Sequence, residues 1–554
     1  MLSTASDGRL TSTAETQSVG FHEEAGRRYG RELDAGLPSN QIAAVALADE
    51  VACMANSPGG GALIVGVEDR TGRIIGTELD GDWLRDSVLG RIGVAPDIRE
   101  ERAEGLRLLT VFVAEAREPV EDTDGGLRWR VGGSSRPVDR SEWWEHRDRA
   151  ERADPMAAPS PQGPDTVRPG AMEIVRRLLD ADTAADEEVL RRLGAVRSDG
   201  LLTRAGALLL TRADRTLLDF TESDVPDGPL VNRISAAPEG SLLEQLMQIE
   251  FAVRVANTMA AAGHGARRES VRRVPEPAVR EALLNGVIHR DWNRPEPTEV
   301  RWSDLESTLT VVSPGGFPDG ITTSNVVSGR TARHPALADL FRALGLVDKP
   351  GAGVDRMYRE MLVVGHRPPE ITEEPGVRVL CTLTGGRPVY PVMECVRAVA
   401  PAERRNDYRI AIILHRLMHR AFVTTTQIEE ALQSSAEAAR IAVEAARQTA
   451  VRSGPLIVGY KDSWILGPTA RALLAAAHDP DGDSPVMAYL STDLDAQAVV
   501  ACDWVDAFGS VTTGDLDVLT GTSRGTVKRT LDALVARGDL VSLGAGRSAR
   551  YERP

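Results

Sequence analysis

Residues 280–292 read Arg280-Glu281-Ala282-Leu283-Leu284-Asn285-Gly286-Val287-Ile288-His289-Arg290-Asp291-Trp292. Glu281, Asn285 and His289 are spaced i, i+4, i+8, so a helix sets a carboxylate, an amide and an imidazole in one row. Leu284, Val287 and Ile288 fall on another face and can enter a core. Pro275 and Pro277 suit the helix start. Two glycine-rich stretches follow. Gly315 and Gly316 stand in Ser313-Pro314-Gly315-Gly316-Phe317-Pro318, and Gly351 and Gly353 stand in Lys349-Pro350-Gly351-Ala352-Gly353-Val354-Asp355. Glycines ahead of a helix let backbone N–H groups approach a phosphate. A polar row followed by two such loops suits a nucleotide. A solvated stripe on an ordinary amphipathic helix has the same spacing.

The other chemistry-bearing group is basic. Arg524, Lys528 and Arg529 fall in the first half of a predicted helix, with Arg547 and Arg550 close behind. Ala496–Phe508 reads as an amphipathic helix, Gly509–Thr513 breaks it, and Thr513 can cap a short helix through Leu519. Thr522 or Ser523 caps the next helix, which runs to Arg537. LVSL, the turn Gly544-Ala545-Gly546 and SARYER then form a hairpin. This order is the winged-helix plan. Its second motif helix enters the major groove, and its wing reaches phosphates. The same plan also serves protein contacts. Basic clustering inside an acidic chain points to double-stranded DNA. A preceding unit has three helices, Tyr408–His419, Thr425–Leu432 and Glu437–Ala450, and a small hairpin around Lys461-Asp462. Arg440 and Arg447 on its third helix are offset by Glu437 and Glu444, which suits packing or dimerisation.

These elements sit in a chain of 554 residues, long enough for several domains at roughly 100–200 residues each. The formal net charge of −16 gives no global pull toward nucleic acid, so a DNA contact must be local. Cys53, Cys381, Cys395 and Cys502 form no C-x-x-C pair, which fits a reducing, cytoplasmic setting without structural zinc. The N-terminus is polar and lacks the apolar core of a signal peptide. No run of about 18 apolar residues suggests a membrane span. The expected organisation is a frayed tail at 1–14, a mixed domain at 15–148 and a Pro-rich exposed linker at 149–170. A second mixed domain follows at 171–385, then winged-helix units at 396–470 and 488–554, with 478–485 between them.

In the N-terminal domain, ALADEVACMANSPGGGALIVGVEDRTGRIIG (46–76) reads helix, Gly turn, buried strand, turn and strand Arg73–Gly76. Met54-Ala55-Asn56-Ser57-Pro58-Gly59-Gly60, Leu63–Gly66 and Trp129-Arg130-Val131-Gly132-Gly133-Ser134 resemble the Schlafen AlbA-like domain over about 130 residues. That resemblance implies DNA binding, and in some relatives RNA cleavage by an acidic cluster. Glu15 matches the first acidic position. Gly20-Phe21-His22 replaces the second acid and its lysine, which argues against metal-dependent nuclease action.

From 201 to 357, Leu201–Leu210, the Glu281 helix and the two Gly-rich loops resemble the C-terminal ATP-binding domain of RecG-related proteins. That domain is a divergent member of the gyrase, chaperone and histidine-kinase ATPase fold. The resemblance implies ATP and Mg²⁺ as cofactors. It assigns Mg²⁺ coordination to Asn285 and the attacking water to Glu281. Phosphate contact falls to Gly351 and Gly353 with Lys349 nearby, and His289, Gly315 and Gly316 complete the pocket. Leu201–Leu210 would be its entry strand. The adenine-reading acid of the wider fold aligns near Ser313, which leaves adenine specificity open. No G-x-x-x-x-G-K-[ST] loop occurs, so no helicase is implied. The expected class is a multidomain α/β and α+β chain: an AlbA-like domain, a gyrase-type ATPase sandwich and two winged helices. The expected function is a homo-oligomeric DNA-binding transcriptional regulator with a nucleotide-binding-like core as switch or assembly module. An ATPase or nuclease of a defence or repair system, and a scaffold with a degenerate ATPase fold, are the alternatives.

Overall fold

The computed structural model describes residues 5–6, 9–10, 19–29, 32–57, 60–68, 71–116, 118–131, 134–145, 154–181, 184–197, 200–262, 269–318, 320–329, 331–347, 353–475, 486–544 and 549–554. It divides into two units, residues 1–159 with 197–201, and residues 160–196 with 202–554. The expected sites Glu15, Lys349, Gly351 and Arg547, and the stretch 476–485, lie outside the described residues.

In the first unit, β1 (Val19–His22) runs parallel to β2 (Gly61–Val65), with α1 (Gln41–Ala55) between them. After α2 (Gly81–Ile92), β3 (Asp97–Ala103) and β4 (Leu106–Val113) complete an antiparallel edge, in sheet order β1-β2-β4-β3. A hairpin of β5 (Arg128–Val131) and β6 (Ser134–Pro137) packs beside α1. Asn40 caps α1 through the N–H groups of Ile42 and Ala43, and Ala43, Leu47, Val51 and Met54 fill the core. The Asn56-Ser57 pair after α1 is structural. The Asn56 amide donates to the carbonyls of Val120 and Arg128 at 2.8 and 3.0 Å, and the Arg130 N–H donates to Ser57 Oγ at 2.7 Å. Gly60 has φ +60°, and a Cβ there would lie 2.3 Å from the Val113 carbonyl, so only glycine makes this turn. Among the described residues the strand expected at Arg73–Gly76 is reduced to isolated bridging, with Ile74 paired to Val67.

The second unit opens at Ser160, within the Pro-rich segment. Ser160 is buried and its N–H meets the Leu202 carbonyl, while the Arg168 N–H meets that of Leu210. After α3 (Pro169–Leu179), the expected entry strand at 201–210 is mostly a helix, α4 (Arg204–Leu210). Thr203 caps it by accepting from the Gly206 N–H, and its Ala and Leu residues favour helix over strand.

Strands β7 (Leu218–Ser223), β8 (Leu230–Ser235), β9 (Thr298–Ser303), β10 (Thr308–Pro314), β11 (Glu370–Glu374) and β12 (Arg378–Thr384) form one sheet in the order β8-β7-β9-β10-β12-β11. Only β7 and β9 are parallel. Neighbouring helices α5 (Leu242–Ala256) and α6 (Glu276–Ile288) pack on it. A Cβ at Gly286 would lie 2.6 Å from Val311, which explains the glycine where α6 crosses β10. α7 (Gly353–Leu362) lies across α6.

The first group with the winged-helix order of elements, called here the first winged unit, is α8 (Tyr408–His419), α9 (Thr425–Leu432), α10 (Ala436–Arg447) and the hairpin β13 (Ile457–Tyr460) and β14 (Ser463–Leu466). The second is α11 (Leu494–Phe508), α12 (Thr513–Thr520), α13 (Arg524–Arg537) and the hairpin β15 (Val541–Leu543) and β16 (Arg550–Glu552). One apolar core runs from Leu362 of α7 through both units to Tyr551. Trp504 is its hub, with ring centroids 4.3 Å from Phe508, 4.8 Å from Phe422 and 5.6 Å from Tyr460. The loop at 323–328 also docks on the end of α9. The Val327 N–H donates to Gln433 Oε1 at 3.0 Å, and Gln433 Nε2 donates to the Thr323 carbonyl at 3.0 Å. Gln433 is the left-handed cap that ends α9.

Trp504 is fully buried at the point where three segments meet. Trp504→Ala is expected to cost about 3–5 kcal/mol, read as a lowered denaturant midpoint for the winged-helix transition. An unchanged midpoint would show that the two units fold independently of this contact.

Candidate nucleic-acid interface and the nucleotide-like site

The second winged unit is built so that α13 shows one face outward. Ser523, not Thr522, caps it, accepting from the Thr526 N–H at 3.3 Å. Val527, Thr530, Leu531 and Leu534 point inward, while Arg524, Lys528 and Arg529 are exposed. Arg524 is 83% exposed and reaches Asp517 Oδ2 only at 3.4 Å, so its guanidinium is available. Arg529 lies along its own helix, with Nη2 3.3 Å from Thr526 Oγ1. Arg550 on the wing strand pairs with Glu552 at 2.9 Å, so its charge is partly offset. Asp532 is also exposed, one turn beyond the basic residues.

Buried polar groups hold α12 and α13 in place. Gln497 is fully buried, and its Oε1 accepts from Thr530 Oγ1 at 2.6 Å. Thr512, rather than Thr513, caps α12 in a reciprocal box with Asp515. Asp515 is 2% exposed and also accepts from Tyr460 Oη at 2.7 Å and Lys461 Nζ at 2.6 Å, both from the neighbouring hairpin. Burial alone would raise its pKa, but Lys461, Thr512 and Tyr460 together hold it below the usual carboxylate value. Arg471 donates to the carbonyls of Val518 and Leu519 at the end of α12. The Lys461-Asp462 turn in the sequence gave no sign that Lys461 reaches across to the second unit.

The polar row on α6 is packed, not solvated. Glu281 is 3% exposed, and the guanidinium of Arg356 on α7 stands 3.5 Å from its Oε1. A Cβ at Gly353 would lie 2.6 Å from Glu281 Oε2 and 3.4 Å from the Asn285 amide, so this glycine lets α7 close over the row. Asn285 Nδ2 is buried with no hydrogen-bond partner among the described residues. His289 lies further along. Arg333 clamps this end, donating to the His289 carbonyl at 2.8 Å and to the carbonyls of Gly316 and Phe317. The Gly315-Gly316 loop is also committed: a Cβ at Gly315 would meet Asp291 at 2.6 Å, and Glu373 accepts from the Phe317 N–H at 2.9 Å. Ser313 donates to the Gly286 carbonyl at 2.9 Å. Arg290 is buried, stacks 4.4 Å over Trp292 and donates to the Glu296 carbonyl at 2.6 Å, a core role that the motif did not reveal.

The structure thus brings Glu281, Asn285 and Gly353 together and places Gly315 and Gly316 beyond His289. Here Arg356 supplies the positive charge beside Glu281. Among the described residues no three His, Cys, Asp or Glu side chains gather to hold a metal. Arg356 and Arg333, which make these contacts, stand in the motifs but carried no assigned role there. Arg356 stands three residues after Gly353, and that spacing was the one available signal.

Comparison with known proteins gives the family. The crystal structure of the DIP2311 protein from Corynebacterium diphtheriae is 50% identical, matching 100% of this chain and 98% of that one with a TM-score of 0.69. The chain belongs to the DIP2311 family. Residues 492–554 match the family described as "Transcriptional regulator DIP2311-like, C-terminal domain", and 390–475 match a family of unknown function. Residues 304–383 match the recG C-terminal family, named for an ATP-dependent DNA helicase, and 15–139 match Schlafen AlbA_2. No curated protein matches. The resemblances read from the sequence are therefore shown, as is the mixed α/β class. Among the described residues of this DIP2311 relative, no helix is long and apolar enough to cross a membrane.

Burial sets a pH limit for this DIP2311 relative. It pushes His366 and His289 from the ordinary 6.5 down to about 4, Arg333 adding to the effect at His289. Unfolding frees both rings to protonate near pH 6.5, so below that the unfolded chain binds more protons. Stability is complete above about pH 6.5 and falls as the pH drops toward 4, by up to about 1.4 kcal/mol per pH unit for each ring. Denaturation at pH 7 and pH 5 should show this loss, and His366→Gln should flatten it. An identical slope in the variant would exclude His366 as a source.

Proposed function

We propose that this chain is a DNA-binding transcriptional regulator whose second winged helix reads duplex DNA and whose ATPase-like core is an assembly module. The carrying observation is the exposed row Arg524, Lys528 and Arg529 on the first half of α13. In a winged helix this half meets base edges. The rest of the chain is acidic, but charges beyond about 8 Å are screened at physiological salt, so the local row prevails at contact. The family description of residues 492–554 supports the same reading. A homo-oligomer belongs to it, since a twofold pair of recognition helices matches half-sites one helical turn apart. A salt titration of duplex binding by the full chain is the test. Each lost phosphate contact lowers the salt slope by about one unit, and Arg524→Ala or Lys528→Ala reduces base discrimination by about 1–3 kcal/mol. If the triple alanine variant of Arg524, Lys528 and Arg529 keeps duplex affinity and slope, the recognition surface lies elsewhere.

One observation favours a nucleotide switch as the second reading: the buried, unpartnered Nδ2 of Asn285 beneath Gly353. On this reading ATP with Mg²⁺ enters only when Arg356 leaves Glu281. ATP–Mg²⁺ then raises the melting temperature of Arg356→Ala more than that of the wild type, and Asn285→Ala removes the effect. No thermal shift in either protein leaves the core as an assembly module.

A further inference from the structure

A cleft of about 430 Å³ lies by the start of α6, at the other end of that helix from His289 and the Gly315-Gly316 loop. Its floor is the short strand Met259–Ala262, which pairs with Glu269–Arg272. Met259 stays 49% exposed there. Arg273, which joins this hairpin to α6, lines the cleft together with Ser307 and Arg387. The volume falls within the range of about 300–1,000 Å³ found for small-molecule sites.

The two arginines differ in what they can offer. Arg273 is committed: its Nη1 donates to Asp304 Oδ1 at 2.8 Å and to the Asp304 carbonyl at 3.1 Å. Arg387 is exposed and has neither an ion pair nor a side-chain hydrogen bond among the described residues. Its backbone is nonetheless fixed. The Gly385 N–H donates to the Ser307 carbonyl and the Gly386 N–H to the Arg273 carbonyl, both at 3.0 Å. A Cβ at Gly385 would lie 2.1 Å from that Arg273 carbonyl, and Gly386 has φ +126°, so both positions require glycine. Beyond Arg387, the Val389 N–H donates to the Val364 carbonyl at 2.9 Å. A free guanidinium thus stands on a backbone held from both sides, beside an apolar floor. None of the described residues lining the cleft is acidic.

We infer that this cleft binds a small organic carboxylate, its charged end on Arg387 and its apolar body against Met259, Ala260 and Ala261. A guanidinium presents paired N–H donors that match the two oxygens of a carboxylate. Arg273 keeps Asp304 throughout, so Arg387 alone takes the anion. Val389, two residues beyond Arg387, packs on the apolar core shared by both winged units, which puts the bound acid near their junction with the six-stranded sheet domain. The cleft is separate from the polar row of α6 and from α13, and the inference holds whether or not either of those binds a ligand.

Calorimetry on the full chain with benzoate, acetate and benzamide is the experiment. Benzoate should bind, acetate more weakly because it lacks an apolar body, and benzamide more weakly because it lacks charge. Arg387→Gln should weaken benzoate about tenfold, the effect of losing a charge-assisted hydrogen bond, and Arg387→Lys should restore part of it. Met259→Ala should weaken benzoate severalfold and leave acetate unchanged. Both positions are exposed, and circular dichroism checks that each variant is folded. Benzamide binding as tightly as benzoate would show an apolar cleft without anion recognition and overturn the inference. So would a wild-type chain that takes up no benzoate at millimolar concentration, or a folded Arg387→Gln that binds benzoate as its parent does.

Discussion

Asp515 is a carboxylate sealed between the β13–β14 hairpin and α12, and the placing of α13 depends on how its charge is satisfied. Leaving such a group buried without partners costs several kcal/mol. Here Thr512, Tyr460 and Lys461 all meet it. Two of those partners come from the β13–β14 hairpin, so satisfying the charge fixes where α12 begins relative to that hairpin. α12 in turn fixes the turn that launches α13. The Gln497 network and Arg471 hold the same helix pair from other sides. The exposed arginines of α13 are thus displayed by a rigid frame rather than by an isolated small domain.

That frame continues into the core domain. Leu362 at the end of α7 shares the apolar cluster of both winged units, and Gly353 at its start lies against Glu281 and Asn285. One helix therefore links the polar row to the C-terminal apolar cluster. The 323–328 loop, hydrogen-bonded to Gln433, gives a second connection. Close-packed contacts of this kind transmit displacement because interiors compress little.

The row on α6 shows how a motif can be kept while its chemistry is covered. The carboxylate and amide are present at helical spacing, yet Arg356 supplies the positive charge beside Glu281 from within the chain. The Gly315-Gly316 loop is held by close approach to Asp291 and by Glu373. Glycine serves close backbone packing as readily as phosphate binding, and the two uses leave the same letters in a sequence.

The sequence by itself determined the elements whose signals are local. Helix periodicity, caps and turn glycines located α1, α6, α8 and α13, and the Gly60 turn follows from a φ that only glycine adopts freely. The exposed face of α13 was also legible, because burial of Val527, Leu531 and Leu534 follows from spacing alone. Where two residues could serve, as at Thr512 and Thr513, the choice lay in backbone geometry that letters do not carry. Leu201–Leu210 misled because a short apolar run fits strand and helix alike, and Thr203 decided it by capping. Only the tertiary structure decided that Arg356 covers Glu281 and that Lys461 reaches Asp515. Each joins residues distant in sequence, and long side chains find their partners only after the backbone has brought those segments together.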